Sequence, residues 1–274
     1  MTKILMIAGL AIGIVLLLAI VLIRLLENRF IYFPPRYPAG FLLQGDLESG
    51  VEEVWLTTED HVRINAIYLP NPSSRKVLLW FHGNAENIGN GLAHLRVLSE
   101  TGAAVLAVDY RGYGKSDGEP NEAGVYRDAD AAYNYLVSER NFRPVDLIIY
   151  GHSLGGAVAI DLAARRACGG LIAQSSFTSA RAMARRMFRI PWLEYLPKTR
   201  FDSLRKITDV PVPVLVAHGT RDEVVPFAMG EMLFRAALEP KRFYPIEGAG
   251  HNDVIEMGGA RYLSALATFI RAGC

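Results

Sequence analysis

Cysteine is nearly absent: Cys168 and Cys274 are the only two in 274 residues. That scarcity excludes a disulfide-stapled scaffold and a multi-cysteine zinc site. Cys168, near a helix end, reads as a small apolar residue, and Cys274 as an exposed thiol. An excess of either charge is missing too. Lys plus Arg number 29 against 28 Asp plus Glu, a formal net charge of +1. A nucleic-acid-binding chain carries a basic excess, so that class is set aside. Low-complexity tracts and internal repeats are also lacking, and at 51% hydrophobic and 21% charged residues the chain is no disordered polymer. Its length suits one large α/β domain with an appendage.

One long apolar run is present. Ile4 to Ile23 reads ILMIAGLAIGIVLLLAIVLI, twenty residues without a charge. As a helix it would span roughly 30 Å, the thickness of a bilayer's hydrocarbon core. A cleavable signal peptide would have a shorter apolar region ending in a small-residue cleavage site. Here Arg24-Leu25-Leu26-Glu27-Asn28-Arg29 follows instead. The expectation is one N-terminal transmembrane helix in residues 1–28, a linker over 29–49 and a main domain over 50–274. The protein would then be a single-pass membrane protein. The flanking charges leave the side of the main domain open. Gly9 and Gly13 form a GxxxG through which two such helices could approach. In the linker, Tyr32, Phe33 and Tyr37 suit a headgroup belt, and the segment can also pack as an ordinary extended linker on the domain; the two readings are compatible.

The remainder alternates strand and helix. Val54–Thr57 and Val62–Leu69 have a period of two and read as an antiparallel opening pair. Five short, wholly apolar runs follow: Val77–Phe81, Ala103–Val108, Leu147–Tyr150, Leu171–Ala173 and Val214–Ala217. Such runs suit strands buried on both faces of a parallel sheet. Helical patterns separate them at Glu86–Glu100, Ala123–Glu139, Leu154–Ala167 and Phe227–Leu238. Arg242–Ile246 is a last strand and Val254–Arg271 a last helix. The fold class is α/β with a mostly parallel sheet and helices on both faces.

The reactive residue types sit where strands end. Gly151-His152-Ser153-Leu154-Gly155 follows one apolar run and opens a helix, the strand–turn–helix setting that gives G-x-S-x-G its meaning. Glycines at 151, 155 and 156 remove Cβ atoms that would collide in so tight a turn. A serine hydroxyl needs a base held by a third group. His251, in GAGHND after the last strand, is the candidate base, and Asp222, in HGTRD after the preceding one, would fix its tautomer. Asp253 competes for that role but reads as a cap for the last helix. Two backbone donors would form an oxyanion hole: the N–H of Leu154 and that of Asn84, with Gly83 letting substrate approach. His82, His152 and His218 read as residues that brace loops; His61 and His94 show no partner. Gly114-Lys115-Ser116 ends like a P-loop, but the glycine that motif needs five residues earlier is Asp109, so a structural loop is expected. No metal or cofactor is implied.

The motifs FHGNAENI (81–88), DYRGYGKSDGEP (109–120), GHSLGG (151–156), HGTRDEVVP (218–226) and GAGHND (248–253) run in this order through the chain. In them the chain resembles the α/β-hydrolase superfamily. It looks like the membrane-anchored serine hydrolases that include depalmitoylases and lysophospholipase-like members, with a domain of the serine aminopeptidase S33 type. The order serine, aspartate, histidine is the one that fold uses. The resemblance implies a Ser153–His251–Asp222 triad, an acyl-enzyme, and ester or thioester substrates. The chain departs from the palmitoyl-removing members in lacking an N-terminal cysteine cluster. Alternatives are an amidase or peptidase of the same fold, or an inactive, membrane-tethered binding protein.

Between the sixth and seventh strands lies an insert of about residues 176–210. Ser179 to Ile190 interleaves Met183, Met187, Phe188 and Ile190 with Arg181, Arg185, Arg186 and Arg189. It reads as a basic amphipathic helix roofing the site. Its arginines would either be solvated or meet anionic headgroups. Met183, Met187 and Trp192 would form an adaptable entry for an acyl chain.

Overall fold

The computed structural model describes residues 2–37, 50–188 and 197–272. The apolar run lies in helix α1 (Thr2–Ile31). Side chains at 2, 4, 5, 8, 9, 12, 16 and 19 of this helix, Gly9 of the GxxxG among them, lie outside those described. Among the described residues, no helix is long and apolar enough to cross a membrane.

Eight strands make one sheet: β1 (Glu52–Thr57), β2 (Arg63–Leu69), β3 (Val77–Phe81), β4 (Ala104–Val108), β5 (Leu147–His152), β6 (Gly170–Gln174), β7 (Val214–Gly219) and β8 (Lys241–Ile246). Their spatial order is β1-β2-β4-β3-β5-β6-β7-β8. β2 runs antiparallel to β1 and to β4, as the opening period-two pair requires. From β4 to β8 every pairing is parallel.

Among the described residues the further α-helices are α2 (Ile88–Ser99), α3 (Glu122–Asn134), α4 (Leu154–Arg165), α5 (Ala180–Phe188), the short α6 (Ser203–Lys206), α7 (Phe227–Ala236) and α8 (Val254–Ala272). The apolar strands need cover on both faces, and two cores supply it. On one face Val77, Leu79 and Phe81 of β3 pack with Val125 and Ala129 of α3, Val158 and Leu162 of α4, and Leu233 of α7. On the other, Leu78 and Trp80 pack with Leu95 of α2 and Tyr262, Leu266 and Phe269 of α8. Alternate residues of one strand thus feed opposite cores, which is why these strands read as unbroken apolar runs.

After β3 the chain crosses to β4 on one side, and later returns to β5 on the other. The β3–β5 junction is therefore a topological switch point, and the loops leaving its carboxyl ends open a crevice. The loop after β3, residues 82–87, and the Gly151–Gly155 turn after β5 both emerge there.

Residues 27–37 are docked on the domain. Glu27, near the end of α1, is buried, and so is Tyr32. The Glu27 carboxylate accepts hydrogen bonds from the Lys198 and Thr199 backbone N–H groups and from the Thr199 hydroxyl. Arg36 bridges to Gly114 as a short parallel pairing. Of the headgroup-belt residues only Phe33 is exposed. Tyr32 lies edge-on to Phe201, and the Tyr37 hydroxyl donates to Asp109 and accepts from the Gly89 N–H. Tyr32 and Tyr37 thus pack on the domain, as the packed-linker expectation has it.

Candidate active site

Ser153 stands between β5 and α4 with φ 55° and ψ −114°. A non-glycine residue at positive φ is strained, and such strain gathers at functional sites. Glycines on either side make the turn feasible. A Cβ on Gly151 would lie 2.0 Å from the Gly155 carbonyl oxygen, and one on Gly155 would lie 2.1 Å from that of Phe81. The second contact also fixes where α4 begins. It sets the first turn of α4 directly against the end of β3, beside the loop that starts at His82. The Ser153 N–H donates to the Gln174 carbonyl, and the Ser176 hydroxyl donates to the Ser153 carbonyl.

His251 and Asp222 converge on this turn from the β8 and β7 loops. His251 Nε2 lies 3.0 Å from Ser153 Oγ, and His251 Nδ1 lies 2.8 Å from Asp222 Oδ2. All three residues are buried. The other Asp222 oxygen accepts the Val224 and Val225 N–H groups at 2.9 and 2.7 Å. Burial alone would raise the Asp222 pKa. Hydrogen bonds from His218, His251 and the Val225 backbone outweigh it and hold the carboxyl well below the usual range. An ionised Asp222 requires the proton of neutral His251 on Nδ1, leaving Nε2 as an acceptor facing Ser153.

His218 is fully buried, its Nε2 2.9 Å from the Val225 carbonyl and 3.2 Å from Asp222 Oδ2. It braces the aspartate loop, as expected of it. Asp253 precedes α8, and its carbonyl accepts the Met257 N–H, but its carboxylate turns back to the Gly250 N–H at 2.7 Å. It supports the histidine loop rather than capping the helix with its side chain.

Two expectations about the β3 loop need correction or extension. The space left by the missing Cβ of Gly83 is not open to substrate. A Cβ there would lie 3.2 Å from both Glu86 Oε1 and His152 Nδ1. Glu86 accepts the Gly83 N–H at 2.9 Å and lies 3.3 Å from His152 Nδ1, while His152 Nε2 lies 3.1 Å from the His251 carbonyl. Burial disfavours charge on both members. Even so, their mutual hydrogen bond and attraction lower Glu86 to about 2 and raise His152. This pair, which ties the β3 loop to the histidine loop, was not foreseen; Glu86 lies in FHGNAENI, but nothing in that motif marks His152 as its partner. The second point concerns Asn84. Its side chain is engaged: Nδ2 donates to the Ile31 carbonyl, and Oδ1 accepts from the Phe33 N–H and the Tyr113 hydroxyl.

Two of the three proposed substrate residues are among the described residues. Met183 packs against the core under α5, Met187 is exposed, and Trp192 lies outside the described residues. The loop at Gly114–Ser116 is structural, as expected: the Ser116 hydroxyl donates to the Asp109 carbonyl and accepts the Asn65 N–H. Among the described residues no cluster of three or more His, Cys, Asp or Glu side chains could hold a metal ion.

A mostly parallel sheet carrying a strained seryl turn at its switch point, faced by histidine and aspartate loops, is the architecture of a hydrolase. Comparison with known proteins agrees. The family model for serine aminopeptidase S33 matches residues 72–203. An uncharacterized protein of Mycobacterium tuberculosis is 35% identical over 248 residues, covering 89% of this chain and 87% of its own. The human alpha/beta hydrolase domain-containing protein 17B is 36% identical over 208 residues, covering 73% of this chain and 68% of its own. Among solved structures, an alpha-beta hydrolase from Vibrio vulnificus superposes with a TM-score of 0.74 at 25% identity, over 92% of this chain and 94% of that one. A Pyrococcus furiosus esterase shares the fold, with a TM-score of 0.72 at 23% identity, over 87% of this chain and 98% of that one. The chain belongs to the α/β-hydrolase superfamily.

Proposed function

We propose that the protein is a membrane-anchored serine hydrolase of carboxylic esters or thioesters. The observation that carries this reading is the unbroken relay from Ser153 Oγ through His251 to Asp222, at 3.0 and 2.8 Å. Ser153 attacks the acyl carbonyl carbon as its proton passes to His251 Nε2. The oxyanion that forms faces the N–H groups of Leu154 and Asn84, where α4's N-terminal dipole favours negative charge. Collapse of the tetrahedral species breaks the bond to the alcohol or thiol, which takes the proton from His251. Water activated by His251 then releases the acid and restores Ser153.

Support for anchoring comes from the uncharged run Ile4–Ile23 and from the exposure of Met6, Ile7, Leu10, Val15, Leu18 and Leu22 along α1. Apolar surface of that extent marks a lipid or protein contact. Met183, Met187 and Trp192 belong in this reading to the acyl-chain entry, and the α5 arginines to the headgroup contact. The amide or peptide alternative draws on one observation, the match to the serine aminopeptidase S33 model.

The test is hydrolysis of p-nitrophenyl esters from two to sixteen acyl carbons, beside peptide p-nitroanilides, by the full chain in detergent and by Ser153→Ala. Ester turnover lost in Ser153→Ala supports the reading, and the optimum length separates a small-ester site from a lipid tunnel. Faster anilide than ester turnover would replace it with the amidase. Turnover unchanged by the substitution would end both. Pelleting of the full chain with carbonate-washed membranes supports the anchor, and release into the supernatant would remove it.

A further inference from the structure

The end of α1 and the segment after it are held against the β3 loop, one of the two loops expected to supply an oxyanion donor. Seven hydrogen bonds between described residues tie residues 31–37 to the domain. Asn84 Nδ2 reaches the Ile31 carbonyl at 2.6 Å, and the Phe33 N–H reaches Asn84 Oδ1 at 3.2 Å. The Pro35 carbonyl accepts from Asn87 Nδ2 at 3.2 Å and from the Gly114 N–H at 3.0 Å. Arg36 donates to the Ser116 carbonyl at 2.8 Å. Tyr37 donates to Asp109 and accepts from the Gly89 N–H. Three of these seven bonds, at Asn84 and Asn87, are made by side chains of the β3 loop. The domain sequence also leaves room for this segment: a Cβ on Gly89 would lie 2.5 Å from the Tyr37 ring.

The segment is fixed at its other end as well. Glu27 sits near the C-terminus of α1, where the helix dipole disfavours a carboxylate. Its burial there is compensated by three donors from Lys198 and Thr199, at 2.8, 3.2 and 3.0 Å. The end of the anchor helix and the extended strap behind it therefore form one rigid brace between the insert and the β3 loop.

We propose that this brace is a positioning element for catalysis, with Asn84 as its clamp. The Asn84 side chain, gripped by Ile31 and Phe33 on the strap and by Tyr113 on the domain, sets the direction of the Asn84 backbone N–H toward the oxyanion. The inference rests on the serine-hydrolase reading and deepens it: the anchor not only tethers the domain but completes its oxyanion loop. Substitution of the Asn84 side chain leaves the backbone donor present but unaimed. Loss of a donor outright reduces turnover by about 10²- to 10³-fold, and misaiming one costs less.

The experiment uses the full chain in detergent with p-nitrophenyl butyrate, and a butylboronic acid whose tetrahedral adduct places an oxygen in the hole. Phe33→Pro removes the strap N–H while altering no residue of the domain, and its neighbour Pro34 already holds an extended backbone. Asn84→Ala removes the whole clamp. Expected are kcat losses of about fivefold for Phe33→Pro and about 30-fold for Asn84→Ala. KM should stay within twofold, and boronate affinity should fall in step with kcat. Melting temperature reports folding separately. Unchanged kcat and boronate affinity in a folded Phe33→Pro overturn the proposal, as does a loss confined to KM or to melting temperature. Ser153→Ala in the same assay keeps the two claims apart. If it abolishes turnover while Phe33→Pro does not change it, only the brace fails; if it retains turnover, the serine-hydrolase reading itself fails.

Discussion

Replacing Asp222 by asparagine tests the relay at its least tolerant point. The two carboxylate oxygens of Asp222 face only donors: the Val224 and Val225 N–H groups on one, and His251 Nδ1 with His218 Nε2 nearby on the other. An amide must present its NH2 to one of these sets. Facing the backbone pair, it would oppose two N–H groups that cannot turn away, leaving both unpaired in a buried site at about 1–3 kcal/mol each. The lower-energy choice turns the NH2 toward His251, whose Nδ1 must then accept. The imidazole proton moves to Nε2, and the nitrogen facing Ser153 can no longer take its proton. The corresponding substitution in a serine-protease triad lowers kcat about 10⁴-fold through the wrong tautomer. That factor equals roughly 5 kcal/mol of transition-state stabilisation. The buried geometry here gives the same expectation for Asp222→Asn in steady-state kinetics on p-nitrophenyl butyrate, with KM little changed. A loss below tenfold would refute the tautomer argument and would point to another carboxylate, Asp253 first.

Three further outcomes are expected. The Glu86–His152 pair should make stability depend on pH. Glu86, lowered to about 2, stabilises the fold above its ordinary 4.5 and loses that contribution as pH falls toward 2. His152, raised above its ordinary 6.5, contributes fully below that value and loses it as pH rises through the elevated pKa. The melting difference between wild type and Glu86→Gln should therefore peak between about pH 4.5 and 6.5 and shrink on either side; a flat difference counts against the pair. Gly155→Ala puts a Cβ 2.1 Å from the Phe81 carbonyl oxygen. It should destabilise by on the order of 3 kcal/mol, lowering the melting temperature by about 6–12 °C; an unshifted melt would show that the elbow can relax. Glutamine at Arg181, Arg185, Arg186 and Arg189 should reduce turnover of esters in anionic vesicles by up to roughly 10³-fold, at about 1 kcal/mol for each of four headgroup contacts, and leave soluble esters unaffected. Equal loss on both substrates would return α5 to a packing role.

The sheet was legible because five of its strands are built on short, wholly apolar runs separated by helical patterns; β3 begins and ends at the residues its composition indicates. Ser153, His251 and Asp222 were legible because each sits in a motif at a strand end, where the fold class alone predicts convergence. The supporting contacts were not. Glu27 meets Thr199 across 172 positions, and Asn84 meets Ile31 across 53. Neither partner sits in a pattern that marks the other. Gly83 was misread for a related reason: a glycine announces a missing Cβ but not what fills the space, here Glu86 and His152. Tyr32 and Tyr37 have the composition of a membrane interface, and only tertiary packing turns them inward.

The most direct test of the central claim is the site of covalent capture. The full chain is treated with a fluorophosphonate, digested, and the modified peptide sequenced by mass spectrometry. Expected is one stoichiometric adduct on Ser153, absent after Ser153→Ala and slowed strongly by His251→Ala. An adduct on any other residue, or one that still forms in Ser153→Ala with ester turnover intact, would contradict the relay as the source of activity.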